Sequence, residues 1–411
     1  MAGTVEKPLA PSYQEVPGGV TAPRGFRAAG LHIGVKRSRK DLALVVSDVR
    51  AAAAATFTTN RVQAAPVRVT REHIKGGYLR AIVCNSGNAN ACNGPQGVRD
   101  ARRMAELVAA AIGAAPEEIA VASTGVIGVP LPMDKIAAGI ERAVALLSPE
   151  GGDDAAQAIM TTDTVPKQIA IEFELKGKPV RIGAMAKGSG MIHPNMATML
   201  AFVTTDAAIE PAALQAVMRR SVDRTYNRIS VDGDTSTNDM AVIMANGLAG
   251  HEPIGLGDPD LEVFAAALDY VNGVLARAIA RDGEGATKLI EIRVVGAPTE
   301  ADAVRIGRSV SRSNLVKTAI YGEDANWGRI LCAAGYSGVD FDPDRVDVYI
   351  GDLLVCKDGA GLAFDEQRAK EILKQSEVVV TLDLKAGGAE ATVWTCDLTY
   401  DYVKINGSYR T

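Results

Sequence analysis

The chain has 411 residues, 47% of them hydrophobic, with a formal net charge of -5. That is enough apolar surface for a substantial core and roughly two to three domain-sized units. Acidic and basic residues are interspersed rather than blocked, which leaves no electrostatic footprint for nucleic acid or an anionic membrane. The opening residues carry Glu6 and Glu15 and no apolar segment of the kind that directs secretion. Apolar runs such as Met199 to Val203 are far shorter than the ~18 residues that span a bilayer. Cys84, Cys92, Cys332, Cys356 and Cys396 are odd in number and form no CxxC pair. They read as ordinary thiols in a reducing, cytoplasmic protein. His32, His73, His193 and His251 stand apart, a poor basis for a zinc site.

In chain order, Leu42 to Val46 is predicted as a strand, as is Leu79 to Val83, which runs into a turn-rich Asn85 to Asn90. Val98, Ala101, Met104, Leu107, Val108, Ala111 and Ile112 recur at helical spacing. A second helix is expected over Asp134 to Leu147, after Pro130-Leu131-Pro132. Val180 to Ala186 and Thr198 to Thr204 read as strands on either side of a Gly-rich loop. Helices follow over Pro211 to Asp223 and Asp260 to Arg281, the latter stopped by Asp282-Gly283. Lys288 to Val295, Val346 to Ile350, Val378 to Leu384 and Ala391 to Leu398 are rich in β-branched residues and predict strands, and Phe364 to Leu373 predicts a helix. The fold class is therefore mixed α/β, with large sheets covered by helices.

Familiar catalytic templates fit poorly. Gly188-Ser189-Gly190 is neither a GxSxG elbow nor a Walker loop, because Lys187 precedes the glycines and the spacing is wrong for both. The Asp232 to Asp239 stretch crowds acidic and hydroxyl groups, but Gly233 is misplaced for a calcium loop and no closing Glu follows, so a hydrogen-bonded turn is expected there. His193 is the histidine near the Gly-rich loop and is expected to be structural. What remains is Thr198. A hydroxyl is a weak nucleophile without a base, and one solution uses the threonine's own free α-amine, which titrates at ~8 and so approaches its proton-accepting form near neutrality. Owning that amine requires scission of the Ala197-Thr198 bond. The glycines before it allow strained backbone, Ala197 offers little bulk against attack, and Ser123 to Gly128 reads as a second small-residue loop able to donate to an oxyanion.

"KGSGMIHPNMATML" closely resembles the self-cleavage segment of the ornithine acetyltransferase family of arginine biosynthesis. The likeness continues through "FTTNRVQAAPV", "NSGNANACNG", "ASTGVIG", "MTTDTVPK", "NRISVDGDTSTND", "ARDGEGATK", "NWGRI" and the terminal "INGSYRT". It covers nearly the whole chain. The resemblance implies cleavage between Ala197 and Thr198 into an α chain, residues 1–197, and a β chain, residues 198–411. It implies that Thr198 then takes the acetyl group from N2-acetylornithine and passes it to glutamate. Thr124 and Gly125 match the family's oxyanion-stabilising pair. Substrate contacts carry over to Thr161, Lys187, Thr198, Glu284, Asn406 and Thr411, with Thr162 an equal reading of the doubled threonine. Lys187 would pair with an anionic group and Glu284 with an ammonium.

The family's fold is a layered α/β structure shared with self-cleaving aminopeptidases, and its members commonly assemble as two α and two β chains. No metal or organic cofactor is implied. Some members also take acetyl-CoA as a donor, and the motifs leave that open for this chain. Two rival readings stay in view: a hydrolase that sends the same acyl-enzyme to water, and a non-catalytic protein whose Gly-rich loops hold an anion.

Overall fold

A computed structural model of the chain describes residues 13–193 and 199–408. Its larger sheet has nine strands. At the centre, Leu200–Thr205 and Met240–Ala245 run parallel, with Leu200 opposite Met240. Every residue of both strands is buried. Their near-continuous apolar sequences are what a strand needs when both faces of its sheet are covered.

Side-chain alternation divides these strands between two cores. Ala201, Val203, Ala241 and Ile243 pack with the helices Pro211–Arg224 and Asp260–Arg281. Leu200, Phe202, Met240 and Val242 pack on the other face, with Ala155, Ala156 and Ala158 of the helix Gly152–Ala158. The 22-residue helix Asp260–Arg281 is long and apolar enough to cross a membrane by length and composition, yet 56% of its apolar window is buried inside the protein. Its apolar positions, Phe264, Leu268, Val271 and Leu275 among them, belong to the core.

The 16-residue strand Leu42–Phe57 joins the two halves of the sheet. Its first half pairs with Phe26–Leu31 and Tyr78–Asn88, and Ala52 to Phe57 pair with Met240–Ala245. Its long alanine run, Ala51 to Ala55, is buried throughout. The helices Gly94–Ile112 and Met133–Ala145 cover the far end over Leu42, Leu44, Val83 and Val121. A second sheet of six strands builds its own core with the helices Glu300–Ser311, Asn314–Tyr321, Trp327–Gly335 and Glu366–Leu373.

The mixed α/β expectation agrees with this architecture, and most predicted elements are present within a few residues. Three differ. Ser123 to Val126, expected as a loop, is the end of the strand Ile119–Val126. Asn85 to Asn88, expected as a turn, continues Tyr78–Asn88, where Ser86 and Gly87 pair with Thr124 and Gly125 before the register shifts at Asn88. The strand predicted over Thr198 to Thr204 is described from Leu200, and Thr198 itself lies outside the described residues.

Candidate active site

Lys187 ends the strand Lys178–Lys187, opposite Leu200 of its neighbour. Its side chain is buried, 8% exposed, and donates from Nζ to Thr124 Oγ1 at 3.3 Å. Two segments more than sixty residues apart in sequence thus meet through a lysine and a hydroxyl. Thr124 is seated by pairing with Ser86 and by Asn238, whose Nδ2 donates to Ala89 O at 2.6 Å and to Ser123 O at 2.8 Å. Gly125 has φ +133°, and a Cβ there would run into the backbone of Gly87. Only glycine satisfies both the dihedral and the close approach.

Behind Lys187 lies a buried ionic network. Asp163 Oδ1 accepts from Lys167 Nζ at 2.7 Å and from Gly188 N at 2.7 Å, and Asp163 Oδ2 accepts from Thr161 N at 2.9 Å. Lys167 also donates to Asp282 at 2.6 Å. Burial pushes the Asp163 carboxyl up, but Lys187 and Lys167 outweigh it and hold the group well below the usual carboxylate range. Asp163 therefore stays ionised and fastens the Gly-rich loop at its first amide. Ser189 Oγ donates to Asp282 O at 2.7 Å, and Glu284 N donates to Ser189 O at 3.0 Å.

The other side of the loop is pinned by Asp232, which accepts from Met191 N at 2.6 Å and Ile192 N at 2.9 Å. That agrees with a hydrogen-bonded role for this acidic stretch. His193 Nε2 lies 2.8 Å from the Arg308 guanidinium, which can only donate, so Nε2 accepts and Nδ1 carries the hydrogen toward Ser230 Oγ at 3.0 Å. Burial first, then Arg308 and Arg312, lower the His193 imidazole to about 4. It is a neutral structural anchor, as expected.

These segments enclose a cavity of about 460 Å³. Thr124, Gly125, Thr161, Lys187, Glu284 and Asn406 all line it, as does Thr162, so the doubled threonine presents both members to the same space. Glu284 Oε2 accepts from Asn406 Nδ2 at 2.7 Å, and a Cβ at Gly190 would land on the Glu284 carboxylate. Lys187, expected to meet an anion, has Thr124 as a hydrogen-bond partner. Ala197, Thr198 and Thr411 lie outside the described residues. Met199, covalently joined to Thr198, is described and lines the cavity, and its carbonyl accepts from Met240 N at 3.0 Å.

Sequence reasoning missed Asp163, Lys167, Asp282, Asn238 and Asp239. Four of them stood inside motifs already singled out, "MTTDTVPK" and "NRISVDGDTSTND", and Asp282 stood in "ARDGEGATK". Asp163 and Lys167 pair locally, but Gly188, Asp282, Ala89 and Ser123, which tie these residues to the cavity, are distant along the chain.

Residues 27–411 match the ArgJ family model. The chain belongs to the ArgJ family. It is 62% identical over 397 residues to the "Arginine biosynthesis bifunctional protein ArgJ" of Symbiobacterium thermophilum, covering 96% of this chain and 99% of that one. To the Bacillus subtilis protein of the same name it is 50% identical over 398 residues, 97% of this chain and 98% of that one. Among solved structures, the arginine biosynthesis bifunctional protein argJ from Bacillus halodurans is similar at 47% identity and a TM-score of 0.50, covering 51% of this chain and 98% of that chain.

Proposed function

We propose that this ArgJ-family enzyme moves an acetyl group from N2-acetylornithine to glutamate through an ester on Thr198, after cutting itself between Ala197 and Thr198. The main support is convergence: Thr124, Gly125, Thr161, Lys187, Glu284 and Asn406, drawn from both halves of the chain, line one cavity whose wall runs to Met199, the residue bonded to Thr198. The B. halodurans chain adds to it. Matched over nearly its whole length, it accounts for only 51% of this chain, the proportion expected of one fragment of a divided precursor.

In this reading the Thr198 hydroxyl attacks the acetyl carbonyl while the residue's own α-amine takes the proton. Negative charge gathers on the carbonyl oxygen. Because Thr124 Oγ1 accepts from Lys187, its own hydrogen is left to donate to that oxygen, and the Lys187 charge strengthens the donor. Gly125 supplies the second half of the oxyanion site. The C–N bond breaks, ornithine leaves with the proton, and the glutamate amine attacks the acetyl-Thr198 ester by the reverse sequence. Glu284, held by Asn406, receives the substrate's ammonium, while Thr161 and Thr411 complete the contacts. No metal or organic cofactor takes part. Acetyl-CoA is a second donor in this proposal, supported by the word "bifunctional" in the names of the relatives.

The test joins N-terminal analysis of the purified protein with an assay of acetylornithine with and without glutamate. Two polypeptides, one beginning at Thr198, and ornithine release that accelerates with glutamate are expected. Release indifferent to glutamate would instead make the protein a hydrolase. A single uncut chain without turnover would leave an anion-binding protein.

A further inference from the structure

Asp239 immediately precedes the strand Met240–Ala245 and lines the cavity. It is 3% exposed, and its Oδ2 has no hydrogen-bond partner among the described residues. Ser236, three residues back, is the nearby polar residue that favours the charged form of this carboxyl. A buried carboxylate with one oxygen unpaired is costly, whereas the same group carrying a proton on that oxygen is a neutral donor in need of an acceptor. The charge acting on it is Lys187, from the strand Lys178–Lys187, and Glu284 lines the same cavity. Lys187 is already faced by Asp163 from behind. A second ionised carboxyl beside it would offset the positive charge that an anionic substrate requires.

We propose that Asp239 is a further catalytic-site residue, a neutral carboxylic acid that donates a hydrogen bond from Oδ2 to an acceptor oxygen of the acyl amino acid in the cavity. It leaves the Lys187 charge available to the anionic end of the substrate. Burial, only partly offset by Ser236 and Lys187, raises this carboxyl well above the carboxylate range, in keeping with the geometry. The proposal rests on the acyl-transfer reading for the identity of its ligand.

The test compares wild type with Asp239→Asn and Asp239→Leu, each checked by intact mass for the same chain division. Infrared difference spectra of wild type against Asp239→Asn should show a protonated-carboxyl band at neutral pH that shifts when ornithine or glutamate is added. Absence of the band, or a band unmoved by either amino acid, would overturn the proposal. In kinetics, Asp239→Asn keeps a neutral donor and should stay within about threefold of wild type in kcat/KM, while Asp239→Leu should lose about tenfold to a hundredfold. Wild type should show a KM that rises at alkaline pH, and Asp239→Asn should not. Equal losses in both variants would mean an ionised carboxylate, and no loss in Asp239→Leu a carboxyl that the reaction does not need. Either result rejects the neutral donor. If Asp239→Leu does not fold, the infrared comparison and the Asp239→Asn pH profile decide. A wild type that shows the ligand-sensitive band but transfers no acetyl group would sink the acyl-transfer reading and leave the carboxyl's role standing.

Discussion

At the scale of single residues, Thr198 has two roles, and the consequences of changing it separate them. Thr198→Ala should remain one full-length polypeptide by intact mass and release no ornithine, with little loss of stability because only a small side chain is removed. Thr198→Ser keeps the hydroxyl and the amine to come, and should retain measurable cleavage and turnover. Thr124→Val removes the hydroxyl that accepts from Lys187 while preserving shape. Its acetyl-transfer rate should fall by about a hundredfold to a thousandfold, the effect of losing one oxyanion donor; an unchanged rate would free Thr124 of that role. His193 has a different signature. Its imidazole, lowered from 6.5 to about 4, takes up a proton more readily in the unfolded chain. Its contribution to stability is therefore complete above about 6.5 and is lost as the pH falls toward 4. Chemical denaturation across that window should show stability dropping with pH, and His193→Asn should flatten the slope.

Among the elements, the buried network of Asp163, Lys167 and Asp282 fixes the end of the strand Lys178–Lys187 and the first amide of the Gly-rich loop. Lys167→Met would leave two carboxylates facing each other without a shared cation. Breaking one partner of such a buried set costs about 3–5 kcal/mol, so a lowered urea midpoint is expected, with loss of activity in the protein that remains folded. The Lys167 side chain is only 1% exposed, so little solvent screening softens this effect. Much at this scale was legible in advance. Helical spacing from Val98 to Ile112 lies within Gly94–Ile112, and Asp260–Arg281 was anticipated to the residue. Ser123 to Gly128 misled because small residues resemble a loop, whereas Ser123 to Val126 form a strand end where Gly125 packs against Gly87. The helices Glu300–Ser311, Asn314–Tyr321 and Trp327–Gly335 were not anticipated.

Over the whole molecule, residues 198–411 are about half of the chain, and scission after Ala197 would leave both pieces inside one sheet. Ile182 to Lys187 of the strand Lys178–Lys187 pair with the whole of Leu200–Thr205, so the fragments should comigrate under native conditions and separate only on denaturation. The resemblance to the family implies an assembly of two α and two β chains, and we propose the same for this protein; light scattering on the cleaved protein tests it. Local and covalent information reached far: alternation and 3.6-residue spacing report which faces are apolar, and the motifs pointed to the reaction class and to Thr124, Gly125, Thr161, Thr162, Lys187, Glu284 and Asn406 in the cavity wall before any coordinates. Pairings between distant residues could not be read that way. Lys187 against Thr124, Asn238 against Ser123 and Asp163 against Gly188 arise from where the strands end in space. So does the unpaired oxygen of Asp239. Burial and electrostatic environment depend on what surrounds a side chain in three dimensions, and a linear string records only its neighbours along the backbone.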